Sequence, residues 1–521
     1  MARSAQPVGI SAWAGAAVAA LVLTVIAVPL GAVMLRADAS SGLGPADWAA
    51  VRFTVGQAFL SALFSVGLAI PVARALARRN FRGRSALIAL MGAPFILPVI
   101  VAVLGLLTVF GRQGALSEIL RLFGLPGVEI YGLHGVVLAH VFFNLPLAVR
   151  LILQGWLAIP VERFRLAATL GFSSRDIGRH MERPMLRNVL PGAFLVIFLI
   201  CTTSFAVALT LGGGPRATTV ELAIYQAFLF DFDLGRAALL GVVQVAICVI
   251  AGVFVLWVAT PNAIGTGLDQ PVERWDGQSR AARLLDGAFI TAAALFLLLP
   301  LTAVVLRGAG AIATMPPSIW VAALRSIALS LVTASVAVGM ALPMAMLIAR
   351  GRARGFLETI GALSIAVSPL VIGTGLFLIL RPIAGPTDMA LPVTGLVNAL
   401  AALPFVLRAL VPAVEQAEAG YGRVALSLGL SGPNYLRHVL LPRLRRPLGF
   451  GAGLAAALSM GDLGVITLFA APQQGTLPLE MYRLMGSYRT DDAQGAALLL
   501  LVLSLAIFWI FDRGGRVNAA V

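Results

Sequence analysis

Apolar residues run along this chain in long blocks, and each block is close to the roughly 20 residues that a helix needs to cross a bilayer core. Twelve such stretches stand out. In the first half they lie near Trp13 to Leu35, Phe53 to Ala73, Ala86 to Gly111, Tyr131 to Val149, Val189 to Leu211 and Ala237 to Ala259. In the second half they lie near Gly287 to Leu306, Ser326 to Ala349, Thr359 to Leu380, Ala390 to Leu407, Leu448 to Ala470 and Gly495 to Phe511. The pattern predicts an all-α polytopic membrane protein with about 12 transmembrane helices, six in each half. Arg3 before the first stretch and the small residues Ala37 to Ala39 after it resemble a secretory signal. The stretch is longer than a signal-peptide core, so an uncleaved first helix is expected.

The polar segments between the blocks set orientation. Arg74 to Arg84 carries five arginines and no acid, and Arg350 to Arg354 carries three. With the N terminus inside, both fall in the cytoplasm, as positive loops do. The opposite loops are balanced or slightly acidic, as in Pro215 to Arg236 with Glu221, Asp231 and Asp233.

Two further polar segments repeat each other. "RLAATLGFSSRDIGRHMERP" (Arg165 to Pro184) and "RVALSLGLSGPNYLRHVLLP" (Arg423 to Pro442) match at an offset of 258 residues. "LPLAVR" (Leu145 to Arg150) and "LPFVLR" (Leu403 to Arg408) keep that offset. Upstream, Pro71 pairs with Pro343 and Pro98 with Pro369, about 272 apart. A longer outer loop in the first half, Gly124 to Gly135, takes up the difference. The chain is therefore a tandem duplication, and two homologous bundles suit a pathway along their shared interface.

Composition narrows the function. The 521 residues are 59% hydrophobic and 12% charged. All 38 basic residues are arginine, which gives a net charge of +15 against 23 acids. Clustering of those arginines in short loops fits membrane topology and argues against nucleic acid. Without lysine, the chain cannot build a Walker A nucleotide loop. "LGGGPR" (Leu211 to Arg216) likewise reads as an outer turn instead of a phosphate cradle. Cys201 and Cys248 lie inside apolar runs and read as packing residues, so neither a disulfide framework nor a metal site is expected.

Each repeated segment reads as a helix, a glycine break and a second short helix. Gly171 and Gly429 supply left-handed C-terminal caps, Ser173 and Ser431 stand where the next helix begins, and Pro184 and Pro442 close the pattern. Six arginines against three acids between Val161 and Asn188 make the first segment too polar to insert. The pattern resembles the EAA loop of ABC importer permeases. In that family the loop forms a coupling helix seated in the ATP-binding subunit.

The resemblance carries the family glycine to Gly171 and Gly429, the last alanine to Ala167 and Ala425, and the proline to Pro184 and Pro442. The family glutamate is replaced by Arg165 and Arg423, and the first alanine by Leu166 and Val424. Within the family, Thr203 to Leu240 and Ser459 to Leu500 are most similar to the thiamine permeases.

The resemblance implies a type I ABC importer permease fold in a multi-pass bacterial inner membrane protein. It divides the chain into an N-terminal helix and outer loop (1–50), two ABC transmembrane type-1 domains (51–257 and 320–512), a linker with the seventh helix (258–319) and a tail (513–521). It also implies a cytoplasmic ATPase homodimer that binds ATP and magnesium, a periplasmic substrate-binding protein, and thiamine or its phosphates as solute. No cofactor is expected in this chain, and no catalysis. Ferric iron or another small solute is the alternative within the family, and an ion-coupled secondary transporter is the alternative outside it.

Candidate pathway residues are Asp462, an acid inside an apolar run, and His140 and Asn144, one helical turn apart. The rival reading for all three is packing. Aromatic residues of Phe228 to Phe232, with Tyr482 and Tyr488, suit the outer headgroup level.

Overall fold

The computed structural model describes residues 11–38, 42–92, 96–214, 217–257, 277–351, 354–471 and 474–516. Arg3, Ala39, Pro215, Arg216, residues 352–353, the first part of the linker (258–276) and the end of the tail lie outside these. Among the described residues the regular structure is helical throughout.

The first half comprises α1 (Ser11–Arg36), α2 (Pro45–Arg78), α3 (Arg84–Leu90), α4 (Val99–Phe110), α5 (Ala115–Leu122) and α6 (Leu133–Leu157). It continues with α7 (Val161–Thr169), α8 (Ser174–Ile177), α9 (Arg183–Thr202), α10 (Phe205–Leu211), α11 (Val220–Leu229) and α12 (Leu234–Trp257). The second half comprises α13 (Arg280–Ala311), α14 (Pro317–Ala349), α15 (Arg354–Ala366), α16 (Pro369–Leu380) and α17 (Ala390–Ser427). After it come α18 (Gly432–Tyr435), α19 (Leu441–Met460), α20 (Ile466–Phe469), α21 (Leu477–Gly486) and α22 (Thr490–Arg516). The offset of 258 carries α8 onto α18 and α9 onto α19 without a shift. Helix α5 belongs to the outer loop of the first half.

Ten helical stretches are long and apolar enough to cross a membrane. The two expected spans outside that set are Thr359 to Leu380, broken ahead of Pro369, and Leu448 to Ala470, whose helix begins with Arg443, Arg445 and Arg446. Four expected spans are discontinuous. Helices α3 and α4 part before Pro98, and α15 and α16 before Pro369, because a residue preceding proline is driven out of the helical region. Ser368 sits there at φ −57°, ψ 130°, and its hydroxyl caps Leu370 N–H at 3.2 Å. Helix α9 stops at Thr202 before α10, and α19 stops at Met460 before α20.

The first helix of each half packs on the other half. Helix α1 lies against α14, α15 and α16, and α13 lies against α2 and α4. Val22, Ile26, Pro29 and Val33 form the packed stripe of α1, while Leu21, Val28 and Met34 face outward, where lipid is the natural solvent. The crossings depend on glycine. A Cβ on Gly375 would overlap the Pro29 carbonyl oxygen, and one on Gly105 would sit 2.6 Å from that of Pro300. Small residues let backbones approach where lipid gives no hydrophobic drive to association. This exchange ties the halves together and leaves their central elements facing one another.

Candidate functional site

Both repeated segments lie at one end of the bundle and share one backbone path. Helix α7 ends in a turn in which Phe172 N–H donates to Ala167 O at 2.9 Å, with Gly171 at φ +69°. In the second half Leu430 N–H donates to Ala425 O at 2.8 Å, with Gly429 at φ +68°. Nothing crowds either glycine, so the left-handed conformation alone demands it. Each short helix then passes through a π-helical turn, Gly178–Glu182 or Leu436–Leu440, into the next span. Ala167 and Ala425 are buried, while Arg165, Arg423, Pro184 and Pro442 are exposed.

On the outward face, Leu166 and Leu170 are 61% and 62% exposed, and their counterparts Val424 and Leu428 are 54% and 69% exposed. One turn apart on a helix, each pair forms an apolar ridge at the same place in both halves. The inward anchors are Ile177 and Tyr435, both fully buried. Burial pushes the Tyr435 phenol up from its ordinary range, and nearby Glu418 acts in the same direction.

The two segments differ in their fastenings. Ser173 accepts Asp176 N–H while Asp176 takes Ser173 N–H at 3.0 Å, a capping box. Ser431, expected to act alike, makes no side-chain cap. Glu182 accepts from Arg74 at 3.0 Å and from Trp156 Nε1 at 3.3 Å. The matched positions in the second half are buried Leu440, Met346 and Val414. There, Arg443 stacks on the Tyr421 ring at 3.8 Å.

Inside the bundle, the three candidate pathway residues fall at two matched nodes. His140 is 3% exposed, and its ring nitrogens meet Ser61 Oγ at 3.2 Å and Ser204 Oγ at 2.7 Å. Asn144 donates to His140 O at 2.9 Å and to Cys201 Sγ at 3.4 Å. In the second half Asn398 replaces His140, donating to Ser459 Oγ at 3.2 Å, and Thr333 replaces Ser61, meeting that hydroxyl at 3.0 Å. Asp462 stands at the position of Ser204, and its Oδ1 accepts Gly464 N–H at 3.1 Å in the break between α19 and α20. That break touches the other half, since a Cβ on Gly461 would lie 2.8 Å from Pro98 Cα.

Residues 337–517 match the family described as binding-protein-dependent transport system inner membrane component. A thiamine transport system permease protein, ThiP, from Brucella abortus is 40% identical over 486 residues, covering 91% of this chain and 89% of that protein. Those named ThiP from Escherichia coli and Haemophilus influenzae are 40% and 33% identical over 480 and 469 residues. They cover 89% and 88% of this chain, and 89% and 87% of their own lengths. The chain belongs to the binding-protein-dependent transport permeases. It is a multi-pass inner-membrane transport subunit.

In this permease, several features escape sequence reading. Glu221, read as part of an outer loop, is 1% exposed in the first turn of α11, inside the bundle. Of the aromatic residues expected at headgroup level, Phe230, Phe232 and Tyr488 are exposed. Phe228 instead turns inward onto Phe377, with ring centroids 4.5 Å apart, and Tyr482 is half-buried. The π turns and the polar anchor at Glu182 had no sequence signal beyond the duplication itself. Comparing matched positions would have flagged Glu182 against Leu440.

Proposed function

We propose that this permease is the membrane subunit of an ABC importer that carries thiamine inward from a periplasmic binding protein. ATP and magnesium bind to a separate ATPase homodimer, and this chain carries neither an ATPase site nor a cofactor of its own. The observation that carries the reading is the alignment of about nine-tenths of the chain with relatives named for thiamine transport. The duplicated coupling segments support the ATPase part: Leu166 with Leu170, and Val424 with Leu428, offer two equal apolar ridges to a two-lobed motor. Arg165 and Arg423, exposed at the first turn of each ridge, give that motor a positive contact where the family has a negative one.

Reconstitution with the cognate ATPase and binding protein tests this directly. Labelled thiamine should accumulate in an ATP-dependent way, and uptake of ferric iron without thiamine would overturn the solute. The double variant Gly171→Val/Gly429→Val should fold and insert but lose more than roughly tenfold of its uptake, because a β-branched residue is strained at positive φ. Normal uptake and normal ATPase stimulation in that variant would overturn the docking assignment.

A further inference from the structure

We propose that Glu221, together with the side-chain carbonyls of Gln57 and Gln244, is the place where this pathway selects a positively charged solute; the inference rests on the importer reading above. Glu221 is held firmly in place. Thr54 Oγ accepts the preceding Val220 N–H at 2.9 Å, and Thr219 Oγ accepts Leu222 N–H at 3.3 Å. Thr54 lies nine residues into α2 and Gln244 ten residues into α12, both counted from the same outer end.

Around Glu221 the helix break after α9 frees two carbonyls. Gln57 Nε2 donates to Cys201 O and Gln244 Nε2 to Thr202 O, each at 2.8 Å. Both glutamines are fully buried, and each retains a side-chain oxygen without a partner, as does Glu221 through Oε1. Ser368, in the break between α15 and α16 of the other half, lies near enough to bear on the Glu221 carboxylate. Cys248, joined to Gln244 and Thr202, lies close enough to feel its charge. Among the described residues no arginine pairs with Glu221.

The set offers acceptors in excess and no cation, on a surface shared by both halves. A buried carboxylate is costly inside a membrane and is kept where it faces a partner or a pathway. A ligand bearing positive charge and N–H donors would supply what these oxygens lack.

Pseudosymmetry argues that the set is not needed for the fold. The second-half counterparts of Glu221 and Gln57 are Pro478 and Leu329, with Thr219 matched by Thr476 and Thr54 by Ser326, and Ser368 corresponds to Leu97. Pro478, Leu329 and Leu97 are all buried and apolar. The Thr54 contact, by contrast, recurs as Leu477 N–H to Ser326 Oγ at 2.8 Å. The fold repeats its scaffold bonds and keeps the carboxylate on one side only.

The test compares uptake of thiamine with uptake of its neutral thiophene isostere, using the same binding protein and ATPase throughout. Wild type should favour the cation, and Glu221→Gln should lower the thiamine-to-isostere ratio roughly tenfold. Gln244→Leu, which removes one of the acceptor oxygens, should move the ratio the same way by less. Co-purification with the ATPase reports assembly. Should Glu221→Gln fail to assemble, the ratio in Gln244→Leu decides the matter. An unchanged ratio, or equal loss of both solutes, would overturn the inference while leaving the importer intact. Absence of thiamine uptake by the wild type would overturn both.

Discussion

The two repeated segments follow one backbone path with different mechanics. In the first half α6 ends at Leu157, Pro160 interrupts the chain, and α7 begins anew. In the second half Glu418 occupies the position of Pro160, and α17 runs unbroken for 38 residues from the membrane into the segment. At about 1.5 Å per residue that rod is roughly 57 Å long, far beyond a 30 Å core. The first segment compensates for its joint with a capping box and with the Glu182, Arg74 and Trp156 contacts. The second has neither: its helix is continuous, and Leu440, Met346 and Val414 stand where the first half has Glu182, Arg74 and Trp156. Equal apolar ridges can therefore be carried by a jointed arm on one side and by one continuous helix on the other.

The strongest way to break this comparison is Glu418→Pro, which would give the second half the joint of the first. It should destabilise the protein by about 3 kcal/mol, seen as a lower thermal midpoint in detergent, whereas Pro160→Glu should change it by no more than roughly 0.5 kcal/mol. Equal effects would mean that the joint is incidental.

Next is Glu182→Leu, which leaves Arg74 half-exposed and Trp156 without its acceptor. A loss of about 2 kcal/mol is expected, reduced from the cost of a fully buried pair because Arg74 reaches water. Adding Arg74→Met copies the second half and should recover most of that loss in the same melting measurement. A double variant no better than the single would sink the equivalence of the two anchors.

The smallest effect concerns caps. Ser173→Ala should cost about 1 kcal/mol, and Ser431→Ala less than roughly 0.5 kcal/mol, read as the difference in thermal midpoint between the two variants.

Much of the architecture was legible beforehand for physical reasons. Proline, glycine and serine act through local backbone geometry, so a repeat of Gly171 as Gly429 and Pro184 as Pro442 fixed two matching paths. The helix breaks were less legible. Pro98 and Pro369 sit inside apolar runs that satisfy any hydropathy window, and only the backbone displays the interruption. His140 and Asn144 were visible as polar residues on an apolar helix, yet their partners Ser61, Cys201 and Ser204 come from distant segments. Glu221 was misplaced because it neighbours the polar residues of an outer loop, and nothing in its immediate sequence indicates that α11 turns inward.

Read alone, the chain established its membrane residence, its duplication and the two matching polar segments, since each depends on composition or local backbone preference. The exchange of α1 and α13 between halves, the contrast of continuous and jointed arms, and the one-sided carboxylate needed the assembled helices. Lipid and protein interior are equally apolar, so hydropathy cannot tell which face of a span meets a neighbour, or which neighbour it meets.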